Sequence, residues 1–122
     1  MNPQQLEDRL IQFSVNVILL CKGIDNSYAA QHLANQLIRS ATSAALNYGE
    51  ARGGESTSDF LHKIKISVKE LRESSVNMKI MKGAALVSKT NLLDEMMKEN
   101  DELISIFVAS IKTATSKIRN NK

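Results

Sequence analysis

Apolar residues recur at alternating spacings of three and four along four stretches of the chain, which is the period of an α-helix with one buried face. In the first stretch these residues are Leu6, Leu10, Phe13, Val17, Leu20 and Ile24. The four stretches predict helices over about residues 3–22, 27–51, 57–82 and 90–119. Gly23 and Gly83 follow the first and third stretches, and glycine favours helix ends. Because short loops make successive helices antiparallel, we expect an all-α, up-down-up-down antiparallel four-helix bundle that occupies residues 1–122 as a single domain.

The first two predicted helices also carry apolar residues away from the faces that are expected to form the core. Ile11, Val15 and Ile18 lie more than 100° around the first helix from its core stripe, at about 100° per residue. Leu46 lies among polar residues on the second helix. Since a helix that is apolar on two sides is buried on two sides, Ile11, Val15 and Ile18 predict contact with another subunit, and Leu46 indicates that the outer face of the second helix is covered as well.

The composition narrows the class of protein further. The 122 residues include one proline, one cysteine and 4% aromatic residues, which disfavours an all-β fold rich in turns and aromatic side chains. The single thiol, Cys21, cannot form an intrachain disulfide, as is usual in a reducing compartment. No stretch approaches the ~20 apolar residues of a membrane-spanning helix, and no signal sequence is evident. We therefore expect a cytoplasmic protein without membrane contact.

The residue types that carry out catalysis are scattered along the chain. Asp59-x-x-His62 resembles half of the metal site of a di-iron bundle, but no second copy exists and Ala29 stands three residues before His32. Cys21 follows an apolar run with no base beside it, which favours a structural thiol over a nucleophile. We expect a protein that is not an enzyme, with no catalytic residue, no metal and no cofactor.

The net charge of +3 is unevenly distributed, because residues 56–87 carry six bases and three acids. Four of these bases fall within about 80° of arc on the third helix with no acid between them. We call them the basic stripe: Lys65, Lys69, Arg72 and Lys79. The stripe is either an ordinary solvated helix face or a surface that binds nucleic-acid phosphates. With only two Tyr and three Phe in the chain, stacking of bases is not expected, and binding would be to the RNA or DNA backbone.

The polar face of the second helix carries Arg39, Asn47 and Glu50 beside the small residue Ser40. Arg39 and Glu50 are eleven residues apart, or about 16 Å along the helix axis, so they cannot pair with each other. Polar groups at an interface need partners. We predict that Arg39, Asn47 and Glu50 form hydrogen bonds or ion pairs with the third helix or with a neighbouring subunit.

These residues belong to a pattern that resembles a known family. The stretch 36–43, QLIRSATS, followed by Asn47 and Glu50, resembles the second-helix signature of the four-helix-bundle proteins, also called the 23S rRNA intervening-sequence protein family. The stretches 59–61 and 108–113 resemble the third and fourth helices of that family. The resemblance extends over nearly the whole chain.

The resemblance implies a bundle that assembles as a homopentamer, found in bacteria, with no established enzymatic activity. It marks four motif residues as interface candidates: Arg39, Ser40, Asn47 and Glu50. A related protein, the accessory variability determinant of diversity-generating retroelements, is a basic ring that binds reverse transcriptase and nucleic acid. Two hypotheses follow. One is a homo-oligomeric scaffold that binds nucleic acid through the basic stripe. The other is an adaptor for a protein such as a reverse transcriptase, with no direct nucleic-acid contact.

Overall fold

The computed structural model describes residues 1–120, and the last two residues of the predicted domain lie outside that range. Four helices follow one another: α1 (Pro3–Lys22), α2 (Tyr28–Arg52), α3 (Thr57–Gly83) and α4 (Thr90–Asn120). The predicted helix boundaries agree with these to within one residue at every end. The all-α fold that the apolar spacing predicts is confirmed.

Polar side chains mark where the first three helices begin. Asn2 accepts a hydrogen bond from the backbone N–H of Gln5 at 2.8 Å, and the side chain of Gln5 accepts one from the N–H of Asn2 at 3.0 Å. This reciprocal pair is a capping box. Ser27 and Ser56 likewise accept from the backbone N–H three residues ahead, at 3.2 and 3.0 Å. These caps satisfy donors that a helix start would otherwise leave unpaired.

The end of α3 differs from the prediction that Gly83 stops the helix. Gly83 is the last helical residue, and no glycine in residues 1–120 has a positive φ. The left-handed residue is instead Ala85, with a φ of 54°. The N–H of Leu86 donates to the carbonyl of Met81 at 3.0 Å, and that of Ala85 to Lys82 at 3.1 Å, as in a Schellman cap. Because glycine tolerates helical φ as readily as positive φ, Gly83 does not by itself fix the position of the turn.

The helices pack as an antiparallel square. α1 contacts α2 and α4, and α3 contacts the same two helices. Within residues 1–120 the backbones of α1 and α3, and those of α2 and α4, do not approach each other closely, so each of these two pairs occupies opposite corners. No helix in this part of the chain combines the length and hydropathy that crossing a membrane requires.

The core lies along the axis of the square. The predicted α1 stripe is buried from Leu6 to Leu20, and Ile24 is partly buried. The rings of Tyr48 and Phe107 meet edge to face, with centroids 5.3 Å apart and planes at 70°. This is a favourable geometry for an aromatic pair. The apolar spacing therefore identified the buried face of α1 correctly.

Four buried polar side chains connect neighbouring helices through main-chain carbonyls. Each donates one hydrogen bond across a helix–helix contact: Ser14 to Ala41 at 3.2 Å, Ser67 to Ala44 at 3.0 Å, Asn77 to Leu33 at 3.0 Å and Asn100 to Leu71 at 2.9 Å. A buried donor of this kind is stabilising only while its acceptor stays within reach. These bonds therefore fix how far each helix is shifted along its neighbour.

Candidate nucleic-acid interface

The four side chains of the basic stripe are exposed on the outward face of α3. Two other lysines of the same helix are paired: Lys63 Nζ lies 2.6 Å from Glu50 on α2, and Lys82 Nζ lies 2.7 Å from Asp94 on α4. None of the ion pairs among the described residues includes a cation of the stripe. The helix thus carries two kinds of basic residue: those that form ion pairs with neighbouring helices and those that are exposed to solvent without an ion-pair partner among the described residues.

Two large apolar side chains interrupt the stripe. Val76 and Ile80 are 57% and 49% exposed. Val76 follows Arg72 by four residues and precedes Lys79 by three, so all three are neighbours on the helix surface. Sequence reasoning noted that no acid interrupts the stripe but missed this pair, although the spacing of four from residue 72 to 76 to 80 was visible. The second half of the stripe is therefore amphipathic.

A shallow groove of about 730 Å³ runs over α3 along its border with α2. Leu33 of α2 contributes to its apolar lining together with Val76 and Ile80, and Lys65 and Lys69 lie in its basic half. Cations and aliphatic side chains thus share one continuous concave surface. Such a surface suits an extended ligand that presents negative charge and an apolar ridge side by side.

Arg39 links α2 to α3 at the edge of this groove. Its guanidinium donates to Glu70 at 3.1 Å, to Glu73 at 3.0 Å and to the hydroxyl of Ser40 at 3.2 Å. The hydrogen bond to Glu73 and the charge of Glu70 raise the pKa of Arg39 above its usual value. The Glu70 side chain is only 10% exposed, so Arg39 supplies the counter-charge to a nearly buried carboxylate. The acids nearest the basic stripe are therefore held by Arg39 and not by the stripe itself.

The other motif residues of α2 find their partners within the chain. Glu50 pairs with Lys63 of α3. The Asn47 amide donates to the carbonyl of Ser43 at 2.9 Å and to its hydroxyl at 3.2 Å. Among the described residues Asn47 makes no hydrogen bond to α3, because a carbonyl one turn back in its own helix accepts from its amide. Its contact with a neighbouring subunit stays a prediction.

The residues considered for catalysis lie apart from one another. His62 is on α3, whereas His32 is on α2 and stacks on Tyr28 with ring centroids 6.0 Å apart. Burial raises the pKa of the Cys21 thiol to about 11. Across residues 1–120, no three His, Cys, Asp or Glu side chains form a cluster that could hold a metal ion.

The family model described as 23S rRNA-intervening sequence protein matches residues 5–109. The chain belongs to this family. The matched residues include the basic stripe, the Arg39 ion pairs and the whole of α2 and α3. The family resemblance of the second helix is thereby confirmed.

A solved structure shares the family's fold. It is the crystal structure of a protein of unknown function from the S23 ribosomal protein family of Bacteroides thetaiotaomicron VPI-5482. The two structures superpose with a TM-score of 0.80 at 23% sequence identity, over 92% of this chain and 99% of the other. No match was found among curated proteins. The four-helix architecture is thus common to both, and any activity has to be inferred from the residues themselves.

Proposed function

We propose that this protein is a non-enzymatic, homo-oligomeric scaffold of the cytoplasm that binds the RNA or DNA backbone through the basic stripe. The observation that supports this most directly is the contrast within α3 between paired and unpaired bases. Lys63 and Lys82 have carboxylate partners, whereas the stripe cations have none among the described residues. Exposed cations along one face neutralise phosphates and release the counterions of the nucleic acid.

The local charge balance also favours phosphate binding. Residues 57–83 carry six bases and three acids. Two of those acids, Glu70 and Glu73, are held by Arg39 from α2. The acids of α3 therefore reduce the positive electrostatic field of the basic stripe only slightly.

Oligomerisation would strengthen the interaction. The family resemblance implies a homopentamer, and Ile11, Val15 and Ile18 of α1 are 39–49% exposed in the single chain. A ring repeats the stripe around an axis and adds the fields of its copies. Binding by the assembled protein should consequently be much tighter than binding by one chain.

The test is fluorescence polarisation with labelled duplex DNA and structured RNA across a series of salt concentrations. Four phosphate contacts per chain predict that log Kobs falls with log salt at a slope of about −3.6 for duplex DNA, and each neutralised cation should reduce that slope by about 0.9. We expect Lys65→Gln/Lys69→Gln to weaken binding and to make it less dependent on salt.

Lys63→Gln/Lys82→Gln is the matched control, because it removes the same charge from the same helix at residues that are already paired. Binding should then fall much less than in the stripe variant. If neither nucleic acid binds at low salt, or if the two double variants bind alike, the proposal is wrong.

An adaptor function, in which the protein binds another protein and does not touch nucleic acid, is favoured by one specific observation. Leu46 is 69% exposed on the outer face of α2, and no side chain of the described residues covers it. Isolated exposed leucines are common, but this one lies beside the family motif of α2. The adaptor function would be supported by two results together. The wild type should capture one host protein that Leu46→Gln does not capture, and neither protein should bind nucleic acid.

A further inference from the structure

A pair of exposed aromatic rings lies at the beginning of α2. Tyr28 is 85% exposed, more than any other large apolar or aromatic side chain in residues 1–120. His32, one helical turn later, is also exposed, and its ring stacks on that of Tyr28 with the two planes at 15°. We call this pair the aromatic platform: Tyr28 and His32. Because Tyr28 stays so exposed with His32 stacked on it, much of its ring is open to solvent.

The aromatic platform continues the α2 wall of the groove between α2 and α3. Four residues of α2 line that groove: Leu33, Gln36, Arg39 and Ser40. At about 100° per residue they span an arc of about 120° around the helix, and His32 falls inside this arc, about 40° from Gln36. Tyr28 lies on the same side of α2, because its ring stacks on that of His32.

The aromatic platform lies at the apolar end of this groove, away from Lys65. Asn77 of α3 donates to the carbonyl of Leu33 at 3.0 Å. Because α2 and α3 are antiparallel, the α3 residues after 77 run alongside the α2 residues before 33. Ile80 is therefore close in level to the platform, whereas Lys65 lies about 22 Å from Ile80 along the axis of α3. The groove thus leads from exposed cations, past apolar side chains, to two aromatic rings.

The charges along the groove favour a negatively charged strand. Three cations of the basic stripe line it, and none of them has an ion-pair partner among the described residues: Lys65, Lys69 and Arg72. Glu73 is the one acid that lines the groove within residues 1–120, and Arg39 binds it at 3.0 Å. The phosphates of a strand would therefore meet cations that are free and an acid that is already neutralised.

The aromatic platform contributes rings and not charge. Asp25, three residues before Tyr28, accepts a hydrogen bond from the backbone N–H of Ser27 in the loop before α2. Lys82, near the end of α3, pairs with Asp94 at 2.7 Å. Contact at this end of the groove therefore depends on ring faces, which stack on any base.

We propose that this groove binds a single strand of nucleic acid, with its phosphates on the basic stripe and one base stacked on Tyr28. Inside a duplex both faces of a base are covered by its neighbours, whereas a single strand can turn a base onto an aromatic side chain. The low aromatic content of the chain disfavours a row of stacked bases, but one stacked base needs only one exposed ring. The stacking site rests on the proposed binding of the nucleic-acid backbone and adds to it a preference for single strands.

Fluorescence polarisation with three labelled probes of roughly ten nucleotides tests the stacking site. The probes are a single strand, the same strand with an abasic residue at every position, and a duplex of the same length. The abasic strand keeps the phosphates and lacks the bases. One stacked base predicts that the wild type binds the complete strand about 5- to 150-fold more tightly than the abasic strand. The complete strand should also bind more tightly than the duplex at physiological salt.

Variants of Tyr28 separate the contribution of its ring from that of the cations. Tyr28→Leu should weaken binding of the complete strand to the level of the abasic strand and leave binding of the abasic strand unchanged. Tyr28→Phe keeps an aromatic ring and should bind like the wild type. Because the side chain is 85% exposed, both variants should keep the helical content and the melting temperature. Leu46→Ala is the matched control and should bind like the wild type, since it removes exposed apolar surface from α2 at a residue that does not line the groove.

The variant Tyr28→Trp gives a direct signal of stacking, because the chain has no tryptophan of its own. A base stacked on the indole ring should quench its fluorescence. The complete strand should therefore quench this fluorescence, and the abasic strand should leave it unchanged.

The stacking site is refuted if the wild type binds the complete strand no more tightly than the abasic strand or the duplex, or if the complete strand does not quench the Tyr28→Trp variant. It is also refuted if Tyr28→Leu binds like the wild type, or if Tyr28→Phe or Leu46→Ala weakens binding as much as Tyr28→Leu does.

The variant Lys65→Gln/Lys69→Gln tests the basic stripe separately, because it should weaken binding of the complete and the abasic strand alike. If this variant loses binding while Tyr28→Leu binds like the wild type, the stacking site is rejected and binding of the backbone stands. If the lysine variant binds both strands like the wild type, the proposed binding of the backbone is rejected.

Discussion

Moving the glycine at the end of α3 by two residues should stabilise the protein. Gly83 lies in the last turn of the helix without a positive φ, and a Cβ added there meets nothing within 4 Å. Gly83→Ala should therefore add about 0.5–1 kcal/mol to the free energy of unfolding, because alanine loses less backbone entropy on entering a helix.

The second half of the exchange concerns Ala85, whose φ of 54° lies in the left-handed region. That conformation costs alanine about 1–2 kcal/mol. Glycine avoids this cost but adds about 0.4–1 kcal/mol of entropy to the unfolded chain. Ala85→Gly should then gain about 0.5–1 kcal/mol, and the variant Gly83→Ala/Ala85→Gly about 1–2 kcal/mol, if the two effects add.

Urea denaturation followed by circular dichroism tests this prediction. The midpoint should rise in both single variants and most in the double variant, with the slope m unchanged. A lower midpoint for Ala85→Gly would refute the reasoning, because it would mean that Ala85 is not held in the left-handed region in solution. A change in m would show instead that the substitutions alter the unfolded state.

Two further predictions concern single side chains. Arg39→Met should lower the melting temperature, because it leaves the nearly buried carboxylate of Glu70 without its cation. Adding Glu70→Gln to this variant should restore much of the melting temperature. If it does not, the ion pair contributes little to stability. Cys21, whose pKa burial raises from 9.0 to about 11, should react with iodoacetamide at pH 8 about 100-fold more slowly in the folded than in the urea-unfolded protein. Because the folded-state pKa is the higher one, the stabilisation from this group is complete below pH 9 and is lost as the pH rises to about 11. Equal alkylation rates in the two states would show that the thiol is not shielded.

The helices and their buried faces could be predicted because both depend on short-range spacing. The α1 core stripe needed only the period of the helix. The turn after α3 could not be placed in the same way. The position of this turn depends on which carbonyls of the last helical turn accept hydrogen bonds from the residues that follow. A glycine nearby does not determine which carbonyls these are.

The basic stripe could be located from sequence, but the state of its neighbours could not. Whether Lys63 is paired and Lys65 is free depends on which α2 residue lies across the helix contact. The identity of that α2 residue depends on how far α2 is shifted along α3, and no local sequence pattern predicts this shift. The same holds for Arg39, whose two carboxylate partners are more than thirty residues away in the chain.

The buried bonds between helices have a consequence for how the family's sequences can change. In each of the four, the acceptor is a main-chain carbonyl and only the donor is a side chain. Every residue type possesses that carbonyl, so Ala41, Ala44, Leu33 and Leu71 can be replaced by any residue of suitable size and helix propensity without removing the bond. Only one residue of each pair is therefore constrained by chemistry, and the alignment of the helices can persist through extensive divergence of the acceptor positions.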